Sequence, residues 1–275
     1  MQEKTIPNPP LSTLALIGGG QMGRALIGGM LDKGVLQEND VRVVDPGQAS
    51  QDWWKANRPA VSISDALESA AADSDIVLFA VKPHLVAKVA KQPTGYWDDK
   101  LVVSIAAGIT LDKLCEWVGH QRVVRVMPNT PSLVGAGAAG FCTAQDVLPS
   151  DKQWIETALG SIGLAVEIED SQMDALTGVS GSGPAYVCLI IEALADGGVL
   201  AGLPRDLALK LATQTVLGTA KMIAETGRHP GELKDAVASP AGTTIAALQV
   251  LEQNGLRSAL IDAVATAARR SKELH

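Results

Sequence analysis

The chain has 275 residues, of which 47% are hydrophobic and 19% charged, a balance typical of a globular protein with one large or two modest domains. Its net charge of −7 argues against nucleic-acid binding, which needs a basic face. Residues 1–11 are expected to form a loose, proline-bearing tail, and residues 1–10 lack the pattern of a signal peptide. No apolar run is expected to be long enough to span a membrane, since Glu192 and Asp196 interrupt the best candidate. We therefore expect a cytoplasmic protein with no membrane span.

Cysteine and histidine are few and widely spaced. The three cysteines and four histidines show no metal-ligand spacing and no disulfide framework. This usage suits a reducing compartment, and we expect no bound metal.

Strand patterns alternate with helical patterns in the first part of the chain. This alternation predicts a Rossmann-type parallel sheet with helices on both faces. The predicted strands are 13–17, 41–45, 61–63, 75–81, 101–105, 122–126, 138–143 and 164–168. The predicted helices between them are 22–33, 51–57, 65–72, one from Pro83, 110–118 and 150–159. The strand at 138–143 is expected to lie at an edge of the sheet. Thr110 and Ser150 are each expected to cap the helix that begins there.

After residue 168 the pattern becomes entirely helical. The predicted helices are 172–177, 184–200, 204–225, 230–238, 243–253 and 256–273. The sequence therefore predicts a dinucleotide-binding domain at 1–168 and an all-helical domain at 169–275. For its length, this second domain buries little apolar surface on its own. We therefore expect it to form a dimer in which helices pack on helices and cover the apolar surface that stays exposed.

A glycine-rich turn follows the first strand. Gly18, Gly20 and Gly23 have the G-x-G-x-x-G spacing of a dinucleotide-binding turn, in which the next helix presents free N–H groups to a pyrophosphate. The strand before it, the helix after it and an acidic residue at the end of the second strand strengthen this interpretation. The predicted contacts of this turn are Ile17, Gly18, Gly20, Gln21, Met22 and Gly23.

That acidic residue is Asp45, which lies 22 residues after Gly23. In one interpretation it hydrogen-bonds a ribose 2′-hydroxyl and repels a 2′-phosphate. In the other it opens a turn before Pro46. The sequence supports both equally.

Ligands of open parallel sheets bind beyond the carboxyl ends of the strands. The residues at those ends complete the predicted cofactor site: Asp45, Ala80, Val81, Lys82, Pro83, Ala106, Ala107, Gly108 and Asn129. Lys82 has an alternative role as a solvated residue at a helix start.

Two loops rich in serine, threonine and glycine precede helices in the second domain. Residues 180–185 and 239–245 would each offer N–H groups and hydroxyls at a helix N-terminus, an arrangement that binds a carboxylate. The alternative is plain helix capping. For two such loops together, a site for a small anion and plain capping are equally supported.

Seven segments resemble the pyrroline-5-carboxylate reductase family over residues 13–273. They are 17–23, 80–83, 104–108, 125–131, 179–186, 229–235 and 239–244. The resemblance implies reduction of pyrroline-5-carboxylate, a cyclic imine carboxylate, to L-proline with NADPH and/or NADH, as the last step of proline biosynthesis. It also implies a homodimer with shared active sites that assembles into a decamer.

The resemblance further assigns site residues. Thr244 would bond the ring nitrogen of the substrate and relay a proton, and backbone at Gly242 and Thr243 would receive the carboxylate. The predicted substrate contacts are Asp170, Ser180, Ser182, Ser239, Gly242, Thr243 and Thr244. Two positions depart from the family: Ala241 replaces a glycine, which is tolerable only without a positive φ, and Leu67 replaces an asparagine near the cofactor.

Two other functions are compatible with a two-domain layout of this kind. A β-hydroxyacid dehydrogenase would carry a catalytic lysine in the long helix at 184–200, which contains none. A non-catalytic dinucleotide sensor would have no need of the paired loops. Both are weaker than hydride transfer to an imine carbon, in which the cofactor supplies the chemistry and the protein the placement.

Overall fold

The computed structural model describes residues 11–91 and 95–274, so residues 1–10 of the predicted N-terminal tail lie outside the described residues. The described chain divides into two compact units. One runs up to Gly181 and takes in the segment that begins at Ala267, and the other is Ser182–Thr266. The domain limits of 1–168 and 169–275 stay a prediction.

The first unit contains one mixed sheet. Its strands are β1 Leu14–Ile17, β2 Val41–Val44, β3 Ser62–Ser64, β4 Ile76–Phe79, β5 Leu101–Ser104, β6 Val123–Met127, β7 Gly137–Thr143 and β8 Gly163–Glu167. Their order across the sheet is β3-β2-β1-β4-β5-β6-β7-β8, with every pair parallel except β6 and β7. The order 3-2-1-4-5-6 is that of a Rossmann fold.

Helices connect the strands of this sheet. They are α1 Gln21–Asp32, α2 Gln48–Asn57, α3 Leu67–Ala72, α4 Pro83–Ala90, α5 Leu111–Val118 and α6 Pro149–Gly160. The two faces of the sheet carry two separate apolar cores, one around Leu16, Trp54 and Trp154 and the other around Phe79 and Trp97. Helices on both faces are what the continuous apolar strands predict.

Two sequence expectations were wrong in this unit. Residues 138–143 do not form an edge strand, because β7 lies between β6 and β8. Ser150 does not cap α6, because the helix begins at Pro149 and the Asp151 carboxylate accepts the backbone N–H of Leu148 at 3.1 Å. The predicted cap at Thr110 is confirmed, since its hydroxyl accepts from the backbone N of Lys113 at 3.3 Å.

The remaining helices are α7 Met173–Leu176, α8 Gly183–Leu200, α9 Arg205–Thr226, α10 Pro230–Val237, α11 Thr243–Gln253 and α12 Leu256–Lys272. A π-helical turn at Thr177–Gly181 joins α7 to α8. The backbones of α8 and α9 approach closely at Gly198, where an added Cβ would lie 3.0 Å from the Cβ of Ala208.

The second unit buries little of its own apolar surface. Its core consists of Ala195, Ala208 and Ala212, while large apolar side chains of several helices stay exposed, including Leu189, Leu217 and Ile261. Exposed apolar area of this extent marks an interaction surface.

One helical stretch, Asp170–Leu200, is also long and apolar enough to cross a membrane by length and composition alone. The expectation that no run reaches that length was therefore wrong. Acidic Glu192 and Asp196 are both contained within this stretch.

Candidate active site

The carboxyl ends of the parallel strands lie in register along one edge of the sheet. Ile17 of β1 pairs with Val44 of β2 and with Phe79 of β4, and Phe79 pairs in turn with Ser104 of β5. The residues that follow these strands therefore meet at that edge, as the sequence predicts. This edge is the ligand site of open α/β sheets.

Gly18 and Gly23 allow the turn after β1 to close tightly. Gly18 has a φ of +103°, and an added Cβ would lie 2.8 Å from the backbone of Ala80. At Gly23 an added Cβ would lie 2.7 Å from the carbonyl oxygen of Gly18. A larger residue at Gly18 would push this turn away from the turn after β4, and one at Gly23 would push α1 away from β1.

Gly20 differs from them because it faces open space. An added Cβ would meet no atom within 4 Å. Gly20 is also the N-cap of α1, and no side chain caps this helix. The first N–H groups of α1, at Gln21 and Met22, thus have no capping partner, and the backbone is open to close approach. This arrangement fits a dinucleotide pyrophosphate.

Gly19 lies between the first two glycines of the motif, and both its N–H and its carbonyl group are hydrogen-bonded. Its carbonyl oxygen accepts from Arg24 Nε at 2.9 Å, Ser50 Oγ at 2.9 Å and Trp54 Nε1 at 3.1 Å. Its N–H donates to the carboxylate of Asp45 at 2.8 Å. The only sequence signal for these contacts was the middle glycine of the triplet.

Asp45 has the turn-forming role that the sequence allows, and its contact with a ribose 2′-hydroxyl stays a prediction. Besides the bond from Gly19, its second carboxylate oxygen accepts the N–H of Gly47 at 2.8 Å, which shapes the turn after β2. The carboxylate thus links the turn after β2 to the glycine-rich turn through one hydrogen bond to each.

The turns after β4 and β5 supply the other predicted cofactor contacts. Ala80 and Val81 lie against Gly18, while Lys82 is the exposed N-cap of α4 and Pro83 its first residue. Gly108 has a φ of +74°, and an added Cβ there would lie 3.1 Å from the Cβ of Leu274. Ala106, Ala107 and Gly108 therefore present a turn of small residues at the same edge.

Asn129 follows β6 but is buried. Its amide nitrogen donates to the carbonyl of Ser180 at 3.1 Å, and its amide oxygen accepts from the backbone of Ala138 at 2.9 Å. These bonds support β7 and the π-helical turn. The predicted cofactor contact of Asn129 stays a prediction.

Asp170 belongs to a partly buried cluster of polar groups. Its carboxylate accepts from Arg125 Nη1 at 2.6 Å and from Cys142 Sγ at 3.4 Å. Burial, together with the charge of Asp170, raises the pKa of the Cys142 thiol to about 12. Within its own unit Asp170 thus has a structural partner, and its predicted substrate contact stays a prediction.

The first predicted anion loop is mostly helical. Ser180 lies in the π-helical turn, and its hydroxyl donates to the carbonyl of Leu176 at 3.1 Å. Only Ser182 interrupts the helical run, because α8 begins at Gly183. The expectation of an open loop at 180–182 was wrong. Turns of this π type are frequent at functional sites.

The second predicted loop does form an open helix start. Gly242 is the N-cap of α11, with no side-chain cap, and its N–H donates to the carbonyl of Ser239 at 3.0 Å. An added Cβ on Gly242 would lie 2.3 Å from Ser239 Oγ and 3.1 Å from the Ser239 carbonyl oxygen, so a larger residue would require the Ser239 side chain to shift. Thr243 is exposed and Thr244 half-buried. The free N–H groups of α11 can accept an anion.

Ala241 precedes this helix start with a φ of +56°. The condition under which an alanine is tolerable there, a negative φ, is thus not met. The backbone at Ala241 has the left-handed conformation that favours glycine, and the residue is exposed to solvent.

A groove of about 500 Å³ lies beside this loop within the second unit. It is lined by residues of α10, the loop and α11, namely Lys234, Ala241, Gly242, Ile245, Ala246, Leu248, Gln249 and Glu252. Among the residues that the structure describes, no cluster of three or more His, Cys, Asp or Glu side chains has the geometry to hold a metal ion.

The strand order, the glycine-rich turn and the uncapped start of α1 define a Rossmann-type dinucleotide-binding protein. Family models agree with this class. Residues 13–108 match the model described as NADP oxidoreductase, coenzyme F420-dependent, and residues 170–274 match pyrroline-5-carboxylate reductase dimerisation.

Full-length relatives give the family. The pyrroline-5-carboxylate reductase of Pisum sativum is 46% identical over 263 residues, which cover 95% of this chain and 96% of the relative. The solved structure of the Coxiella burnetii enzyme has a TM-score of 0.89 at 35% identity, covering 96% of this chain and 98% of that one. The Plasmodium falciparum structure, solved with NADP bound, has a TM-score of 0.86 at 34% identity, covering 97% and 98%. The chain belongs to the pyrroline-5-carboxylate reductase family, a family of NAD(P)-dependent oxidoreductases.

Proposed function

We propose that the chain reduces L-1-pyrroline-5-carboxylate to L-proline with a reduced nicotinamide cofactor, the last step of proline biosynthesis. The observation that carries this proposal is the uncapped N-terminus of α11, with Gly242, Thr243 and Thr244 at its start. It lies within the segment that matches the dimerisation domain of the family. The curated relatives over nearly the whole chain support the same reaction.

The proposed carboxylate site is the backbone at Gly242 and Thr243. A helix of 11 residues begins there, and its first N–H groups have no side-chain cap. These groups carry the positive end of the helix dipole, so they favour a carboxylate without any fixed cation. Ser239, Ser182, Ser180 and Asp170 complete the proposed substrate contacts.

Thr244 is proposed to orient the ring nitrogen. Its side chain is half-buried, and its hydroxyl makes no hydrogen bond within the residues that the structure describes. The hydroxyl is therefore free to bond the substrate. Its ordinary pKa is too high for a strong acid, so its role is orientation and relay of a proton that water or the protonated imine supplies.

The cofactor site is proposed to comprise Ile17, Gly18, Gly20, Gln21, Met22, Gly23 and Asp45 with the turns at 80–83 and 106–108 and Asn129. Open space at Gly20 and the uncapped α1 fit a pyrophosphate. When bound, the reduced nicotinamide supplies the hydride that the imine carbon receives. The protein holds the two reactants in place.

The assembly is proposed to be a homodimer that forms a decamer in the cytoplasm. The match to a dimerisation domain and the exposed apolar side chains of α8, α9 and α12 support association through the second unit. The free thiols Cys115, Cys142 and Cys188 suit a reducing compartment. Light scattering coupled to gel filtration tests the decamer, and a mass of a single dimer would contradict it.

The reaction is tested by following the absorbance of NADH or NADPH after racemic pyrroline-5-carboxylate is added, with proline identified by chromatography. We expect one proline for each cofactor oxidised and half of the racemate consumed. Cofactor binding without oxidation would reject the enzyme in favour of a sensor.

A further inference from the structure

The end of β2 carries one fixed negative charge. The two oxygens of the Asp45 carboxylate each accept a backbone N–H at 2.8 Å, one from Gly19 and one from Gly47. Two bonds on separate atoms hold the group in a single orientation. Each oxygen keeps a further lone pair that can accept a hydroxyl.

The turn after β2 carries no positive charge. Between Val43 and Trp54 the chain has no lysine or arginine. A 2′-phosphate on the adenosine ribose carries a charge of about −1.5 to −2 at neutral pH, and sites that accept it commonly supply an arginine near the end of the second strand. This turn supplies an aspartate and a glycine instead.

Arg24 is the cation that contacts the glycine-rich turn, and it is already engaged. Its Nε donates to the carbonyl of Gly19 at 2.9 Å. Its guanidinium lies over the ring of Trp53, with 4.4 Å between the carbon of the guanidinium and the ring centroid. These two contacts hold the guanidinium of Arg24 against the Gly19 carbonyl and the Trp53 ring of α2.

We propose that Asp45 makes this chain select NADH over NADPH, with its carboxylate accepting the ribose 2′-hydroxyl and repelling a 2′-phosphate. This inference rests on the proposed function for its reaction, but the selectivity belongs to binding and is measurable without the imine. The relative solved with NADP bound shows that another member of the family accepts the phosphorylated cofactor.

The first test is a titration with ADP-ribose and with 2′-phospho-ADP-ribose, followed by tryptophan fluorescence. Trp54 donates to the Gly19 carbonyl, so it reports on the turn. We expect ADP-ribose to bind at least about tenfold more tightly. Equal binding, or tighter binding of the phosphorylated ligand, would overturn the inference. The wild-type protein alone gives this result.

Asp45→Asn then separates charge from shape, because asparagine is isosteric and keeps an acceptor for one of the two N–H groups. We expect the binding ratio to shift at least about tenfold toward the phosphorylated ligand. Asp52→Asn removes the same charge from the exposed face of α2 and should leave the ratio unchanged. A variant at Asp45 that weakens both ligands equally would show that the residue only shapes the turn.

Arg24→Gln tests the competing source of specificity. Because Arg24 acts on the Gly19 carbonyl, its loss should weaken both ligands by the same factor. A selective loss of 2′-phospho-ADP-ribose binding would assign Arg24 to the phosphate and contradict the proposal. Failure of imine reduction with intact selectivity would instead reject the proposed function alone.

Discussion

The carboxylate of Asp45 accepts the backbone N–H of Gly19 at 2.8 Å, so the ends of β2 and β1 are joined by a side chain as well as by the sheet. The carbonyl oxygen of the same residue accepts hydrogen bonds from Arg24, Ser50 and Trp54. The glycine-rich turn is therefore rigid before any ligand arrives. Preorganisation of this kind lowers the cost of ordering a binding site.

Gly20 and Gly23 should respond differently to the same substitution. Gly20→Ala places its methyl group in open space, so we expect normal thermal unfolding but dinucleotide binding weakened by about tenfold or more, because the pyrophosphate approaches there. Gly23→Ala puts a Cβ 2.7 Å from the Gly18 oxygen and should lower the unfolding temperature. Calorimetry and cofactor titration measure the two effects. Normal binding in Gly20→Ala would place the pyrophosphate elsewhere.

Thr244→Ala should lower turnover much more than cofactor affinity. Loss of one hydrogen bond to the reacting ring predicts a fall in kcat of about 10- to 100-fold. Thr244→Ser keeps the hydroxyl and should restore most of the rate. Thr157→Ala serves as the control, because Thr157 is an exposed residue of α6 whose hydroxyl bonds only within its helix. Unchanged turnover in Thr244→Ala would remove this residue from the mechanism.

Ala241→Gly should stabilise the protein. The φ of +56° costs an alanine about 1–2 kcal/mol, and the greater freedom of glycine in the unfolded chain cancels part of that gain. We expect a net increase of about 0.5–1 kcal/mol in the free energy of unfolding. Ala247→Gly serves as the control, because Ala247 lies inside α11, where glycine is less favourable than alanine. This substitution should lower the free energy of unfolding by about 1 kcal/mol. Chemical denaturation measures both, and a loss of stability in Ala241→Gly would contradict the account.

Cys115 and Cys142 should not react with thiol reagents at neutral pH. Burial first, and then the charge of Asp112, raises the pKa of Cys115 to about 11, and burial with Asp170 raises that of Cys142 to about 12. The thiolate is the reactive form, so its fraction at pH 8 is negligible at both sites. In Cys188→Ser we expect no thiol to react with Ellman's reagent at pH 8 and two after denaturation. Fast labelling of the folded variant would contradict the raised pKa values.

Most of the fold was predictable because its signals are local. Continuous apolar runs such as 75–81 define buried strands, and residues such as Thr110 and Pro83 mark helix starts by their own chemistry. The place of β7 was not predictable in this way. Its pairing partners, β6 and β8, are set by the topology of the whole sheet, and its glycine- and alanine-rich sequence also suits an edge.

The site was predictable where the backbone itself requires a particular residue type, as it requires glycine in the turn after β1. The close contacts at Gly18 and Gly23 are the steric needs that the motif predicts, while the approach of a pyrophosphate to Gly20 stays a prediction. The contacts of Trp54 and Ser50 with Gly19 connect residues more than 30 positions apart, so no local sequence pattern predicts them. The helical state of Ser180 and the positive φ of Ala241 likewise depend on neighbouring structure.

The central claim is that the start of α11 receives the carboxylate of a cyclic imine. The direct measurement compares kcat/KM for pyrroline-5-carboxylate with that for 1-pyrroline, the same ring without a carboxylate, at saturating cofactor. We predict that 1-pyrroline is reduced at least about 100-fold less efficiently, because a charge-assisted set of N–H bonds of about 1.5–3 kcal/mol each is lost. Equal efficiencies for the two imines would contradict the claim, since the helix start would then contribute nothing to recognition.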